Sequence, residues 1–186
     1  MRIPHLANSF SRFFPTLIGA LAVAASLALA GVGCGGEEPN EGDPNCYDYS
    51  SFNADAPQVS FKTDVLPIFR NSCGLSSACH GGNPGPAGQP YLGPAAAAPD
   101  PDQTEIDAII AANVDVDATK APTMKNVAPG SPENSFLMHK MDGTLQCASV
   151  KCDPVCGASM PQGSGVLPQD KRDTVRRWIA QGAKNN

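Results

Sequence analysis

The chain is 186 residues long, with a formal net charge of −5 and only 6% aromatic residues against 18 glycines and 18 prolines. That acidic balance argues against nucleic acid as a partner. A chain so rich in loop formers has little core of its own and needs covalent or cofactor support.

Arg2 and Arg12 open the chain, no acid precedes Glu37, and an apolar run of 17 residues, 17–33, ends at Cys34. A basic start, an apolar stretch and small residues before a boundary describe an export signal. The position of Cys34 predicts a lipoprotein signal: residues 1–33 are removed and Cys34 is acylated. Gly31 departs from that pattern, because such signals usually have leucine there. The alternatives are a plain secretory signal or a retained anchor helix, for which the run is marginal in length. Cleavage before Cys34 leaves 186 − 33 = 153 residues, and losing Arg2 and Arg12 takes the charge from −5 to −7. That length suits one domain plus a tether. Residues 34–58 are polar and acidic and read as a disordered tether. Cys46 is available to staple it to a domain over 59–186.

The first predicted helix is "SFKTDVLPIFRNS", 60–72, with Val65, Ile68 and Phe69 on one face. Thr63 is its expected cap, which leaves Pro67 in the first turn where a missing N–H costs little. Residues 81–101 carry too much Gly and Pro for a regular element. A second helix is expected over 103–113, with Ile106, Ile109 and Ile110 on one face. The third begins at Ser131 as N-cap, with Pro132 at the first helical position and Glu133 favourable to the dipole. It runs through "SFLMHKM". The region 142–167 is loop-like and holds "CASVKCDPVC". Pro168 opens the last helix, Val175, Trp178 and Ile179 form its inner face, and Gly182 is placed to end it. No run alternates with period two, so strands are not expected. The predicted fold is all-α: about four short helices joined by long loops that wrap something or are stapled.

Seven cysteines are present, and six remain after Cys34: Cys46, Cys73, Cys79, Cys147, Cys152 and Cys156. In an oxidising compartment an even remainder fits three disulfides, or two thioethers and two disulfides; parity does not choose. Cys79-His80 ends as a covalent haem site ends, but Cys73 stands six positions before Cys79 instead of three. Six positions on a regular helix amount to about 9 Å of rise and about 240° of rotation, so the sulfurs would face apart. Whether the thiols bind haem or each other, "CGLSSAC" must therefore loop. Met160, in "GASMPQG", is held extended by Pro161 and flanked by glycines, so its thioether can reach inward. Met138 and Met141 read as core fillers, and Met124 as a weaker second candidate ligand. His139 reads as a partly exposed helix residue.

These stretches together resemble the class I cytochrome c module of exported bacterial proteins. The residues that carry the resemblance are "VSFKTDVLPIFRNSC" before "CH", "VAPGSPENSFLMHKM", "SMPQG" and "LPQDKRDTVRRWIAQGA", covering about residues 59–184. The resemblance implies haem c as cofactor. Cys79 is then the second attachment cysteine, His80 the proximal ligand and Met160 the distal one. Cys73 matches the first attachment cysteine by order and departs from it in spacing. It also implies that Trp178, Val175 and Ile179 meet Phe69, Val65 and Ile68. Cys147, Cys152 and Cys156, paired among themselves and with Cys46, would give two disulfides; a zinc site is the rival use of the four. The implied function is single-electron transport between redox protein partners, without enzymatic activity or a small-molecule substrate. A lipid at Cys34 would anchor the protein on the periplasmic or cell-surface side of a bacterial membrane. The alternatives are a haem-free, disulfide-stabilised structural or binding lipoprotein, and a small catalytic haem protein such as a peroxidase.

Overall fold

Ser60 starts the first helical segment, its Oγ accepting from the Thr63 N–H at 3.3 Å, so the cap is Ser60 and not the expected Thr63. The first turn, Phe61–Val65, is wide: the N–H groups of Val65 and Leu66 reach back five residues, to Ser60 and Phe61. Pro67 explains the widening. It has no N–H to donate, and its ring needs room beside the preceding turn. The chain then continues as α1 (Leu66–Ser72). In the computed structural model, the described residues are 43–83, 85, 86 and 89–186. All of them fall in one unit, Glu38–Asn186. The expected signal (1–33) and the lipidation site Cys34 lie outside the described residues. Among the described residues no helix is long and apolar enough to cross a membrane.

Asp102 caps α2 (Gln103–Asn113) by accepting from the Glu105 N–H at 2.9 Å. The fold is not the all-α one that the sequence suggests. β1 (Asp117–Ala118) and β2 (Ala121–Lys125) form a two-stranded antiparallel sheet, which makes the fold a mixed one. The sheet escaped the sequence reading because β1 has two residues and β2 contains Pro122 and buries only its positions 121 and 124 fully. β1 is too short to show a period-two pattern, and the burial of β2 does not alternate. The third predicted helix is also interrupted. A 3₁₀ turn (Pro132–Asn134) ends at Ser135, and α3 (Phe136–Asp142) follows. Ser131 makes no side-chain cap; Ser135 Oγ instead accepts from the Ala128 N–H at 2.8 Å and donates to the Ser131 carbonyl at 3.0 Å. α4 (Gln169–Ala180) ends as expected near Gly182, whose φ of +98° suits glycine.

The main core joins the first helical segment to α4. Phe61, Phe69 and Trp178 are all buried, with Phe61 and Phe69 centroids 5.1 Å and 6.4 Å from the Trp178 ring. Val65, Ile68, Val175 and Ile179 complete it, joined from elsewhere by Leu92, Ile106, Ile109 and Val127. Each such side chain contributes about 1.5–3 kcal/mol by leaving water. A smaller cluster around the hairpin contains Ala118, Ala121, Met124 and Phe136. Two disulfides border it, Cys46–Cys147 and Cys152–Cys156.

Asp142, at the end of α3, links to α4 through Arg172 (2.7 Å) and both carboxylate oxygens to Arg176 (2.6 and 2.7 Å). The fully buried Arg176 guanidinium lies 3.5 Å from the centre of the Tyr47 ring. Residues of the stretch expected as tether thus rest on α4. Gln181 adds hydrogen bonds to the carbonyls of Ala54 (3.0 Å) and Pro57 (2.9 Å).

Candidate functional site

α1 delivers Cys73. It is the helix C-cap, with its N–H on the Phe69 carbonyl at 2.8 Å, and its side chain is buried. From there the chain loops as the cysteine spacing requires. The Cys79 N–H bonds to the Ser76 carbonyl at 3.0 Å and the His80 N–H to the Cys73 carbonyl at 3.1 Å. In a helical C-x-x-C-H run, the histidine N–H would reach the first cysteine carbonyl across i, i+4. Here the same pair of groups bonds across i, i+7, and the extra residues bulge outward, with Leu75 58% exposed. The loop closes on bare backbone. A Cβ on Gly74 would sit 2.3 Å from the Gly93 carbonyl oxygen, and one on Gly81 would sit 2.4 Å from that of Gly74. Only glycine permits either approach.

The imidazole of His80 is oriented by backbone. Its Nδ1 lies 2.9 Å from the Pro90 carbonyl oxygen, and the Leu92 N–H bonds to the His80 carbonyl at 2.9 Å. A carbonyl can only accept, so the neutral ring carries its proton on Nδ1 and leaves the Nε2 lone pair free. That is the arrangement by which a metal-binding histidine is held. Asn113, 1% exposed, secures the next residue: its Nδ2 donates to the carbonyls of Tyr91 and Ile109, both at 2.7 Å. Its Oδ1 accepts from Asn126 Nδ2 at 2.7 Å. The carbonyl that holds His80 is therefore backed by a buried amide pair with its hydrogen bonds made.

α3 and the loop after it bring Met160. Its N–H bonds to the Lys140 carbonyl on α3 at 2.8 Å, and the Lys140 ammonium donates to the carbonyls of Cys156 and of Ala158 (2.8 Å). Burial, and then the charge of Lys120, hold the Lys140 ammonium below its ordinary pKa. The Cys152–Cys156 disulfide closes the start of this loop.

Cys73, Cys79, His80 and Met160 line one cavity of about 540 Å³, with mostly apolar walls. This is the size and character of a small-molecule or cofactor site. Neither thiol is in a disulfide. Burial pushes the Cys73 thiol up to about 12, with Cys79 adding to the shift, so Cys73 stays protonated at neutral pH. Cys46, Cys147, Cys152 and Cys156 are all disulfide-bonded, which removes the zinc alternative for those four. Asp43, Cys46 and Cys147 do lie within metal-ligand distance of one another, but both sulfurs belong to the disulfide. Asp43 instead accepts from the Ala148 N–H at 2.7 Å.

His139 differs from its expected exposure. It is buried, with Nδ1 on Thr144 Oγ1 (2.9 Å) and Nε2 on the Glu133 carbonyl (3.1 Å), so neither nitrogen is left for a ligand. Met124 is buried in the hairpin cluster away from the cavity wall, whereas Met141, expected as a filler, is both core and wall. Sequence reasoning missed Lys140, Asn113, Asn126 and Pro90. For Pro90 a signal existed: Tyr91 and Leu92 form an apolar island in a Gly/Pro stretch. For the others the partners are distant in sequence and no local pattern marks them. No protein-family model matches the chain, and no curated protein or solved structure matches it.

Proposed function

We propose that this chain is a c-type haem protein that carries single electrons, in a cytochrome c-like domain tethered to a bacterial membrane through lipid at Cys34. The observation that carries the reading is the pair of free thiols beside His80. Four described cysteines are paired, while Cys73 and Cys79 line a cavity unpaired and share it with an imidazole and a thioether. In an exported protein, two thiols that share a cavity with an imidazole and a thioether and are not in disulfides are candidates for covalent attachment of a cofactor. The donor set fits haem. His80 would bind iron through Nε2, Met160 through sulfur, and Cys79 with Cys73 would attach the macrocycle through thioethers. Bound there, haem supplies a one-electron couple whose potential a thioether ligand raises.

The chain's own residues do the rest. Pro90 fixes the ring of His80, and its carbonyl strengthens the imidazole as a donor. Phe136, Leu137 and Leu92 give the cavity apolar walls. Were His80 and Met160 both to bind the iron, no open position would be left for a substrate, and the partners would be other redox proteins.

The test is a pyridine haemochrome spectrum of the protein made in a host that attaches haem c. Haem that survives acid–acetone extraction, and is lost in Cys79→Ala, is the expected result. A colourless protein with Cys73 and Cys79 oxidised to a disulfide would contradict the proposal and favour the haem-free structural lipoprotein.

A further inference from the structure

Lys140 sits in an environment that ion pairing does not explain. Among the described residues its ammonium has no carboxylate within salt-bridge reach, although it is partly buried at the cavity. It spends its hydrogen bonds on the carbonyls of Cys156 and Ala158, while its own carbonyl accepts the Met160 N–H. One residue of α3 therefore holds both ends of the stretch 156–160. Beyond Cys156, which the disulfide to Cys152 ties at one end, the described contacts give the stretch no other anchor of comparable strength. It forms no regular element and places no residue in the main core. Gly157 turns it at a φ of +74°, and a Cβ there would lie 3.3 Å from the Lys140 ammonium.

We propose that Lys140 is a positioning residue that seats the Met160 thioether at the cavity. The inference rests on the haem reading and adds to it what determines how firmly the distal ligand is held. A tethered ligand competes with free ones through its effective concentration, and anchoring both ends of its loop raises that concentration. Charge-assisted hydrogen bonds to two carbonyls are strong enough to decide the matter. The Cys152–Cys156 ring contributes by fixing one of the carbonyls that the ammonium meets.

Imidazole titration of the haem-loaded full chain tests this, because imidazole displaces a thioether from iron. Lys140→Met keeps the stem and removes the donors. Its affinity for imidazole should rise about tenfold, and the far-red thioether-to-iron band should weaken. Lys140→Arg, which keeps the donors, should restore both. Gly157→Ala strains the turn at its positive φ and crowds the ammonium, so it loosens the same seating from the loop side and should move imidazole affinity in the same direction, which keeps the test open if Lys140→Met folds poorly. Unchanged affinity in Lys140→Met and Gly157→Ala, or an equal rise in Lys140→Arg, would overturn the assignment while leaving the haem reading intact. A wild-type chain without covalent haem would remove both.

Discussion

The wall that carries His80 is close-packed backbone, whereas the wall that carries Met160 is a loop tied at a few polar points. On the first side, Gly74 and Gly81 let carbonyls approach where no side chain fits, and Phe69 anchors the preceding helix in the main core. On the second, Met160 is half-buried just as His80 is, but its loop is fastened by Lys140 and a short disulfide. Packing of the first kind is stiff, because any added atom displaces main chain. Polar fastening of the second kind is adjustable residue by residue. In the proposed electron carrier, then, the imidazole is the fixed ligand and the thioether the tunable one.

Substitutions can break this contrast. Gly74→Ala should have the largest effect, destabilising the fold by about 3 kcal/mol in urea unfolding, because its Cβ meets a carbonyl oxygen that cannot move alone. Asn113→Leu comes next. It strands the carbonyl of Tyr91 and the amide of Asn126, while Ile109 keeps its helical partner, at a cost of about 2–3 kcal/mol by the same measurement. Replacing both Cys152 and Cys156 with Ser should cost at most about 2 kcal/mol, since so small a ring removes little chain entropy. Gly165→Ala, in the Met160 loop region with nothing within 4 Å of the added carbon, should change stability by no more than about 0.5 kcal/mol. If Gly165→Ala proved as damaging as Gly74→Ala, the two walls would not differ in kind.

The same contrast separates what could be read from sequence from what could not. α1, α2 and α4 were legible because each carries apolar residues at helical spacing, beside a proline or a capping group. The four site candidates were legible by residue type, since few side chains offer thiols, an imidazole or a thioether beside Pro161. The hairpin was not, because two residues cannot show a period. The break at Ser135 was hidden because its hydroxyl bonds to Ala128 and Ser131, partners that only the folded chain supplies. His139 looked half-exposed from its neighbour Lys140, yet Glu133 and Thr144 both turn toward it. Lys140 itself reads in sequence as a solvent-facing charge. Its function depends on residues 16 and 18 positions away.

The most direct test of the central claim is the intact mass of the mature chain purified from a host that attaches haem c. The account predicts one added haem together with the hydrogen loss of two disulfides, Cys46–Cys147 and Cys152–Cys156. A mass without haem, and with a third disulfide between Cys73 and Cys79, would contradict it.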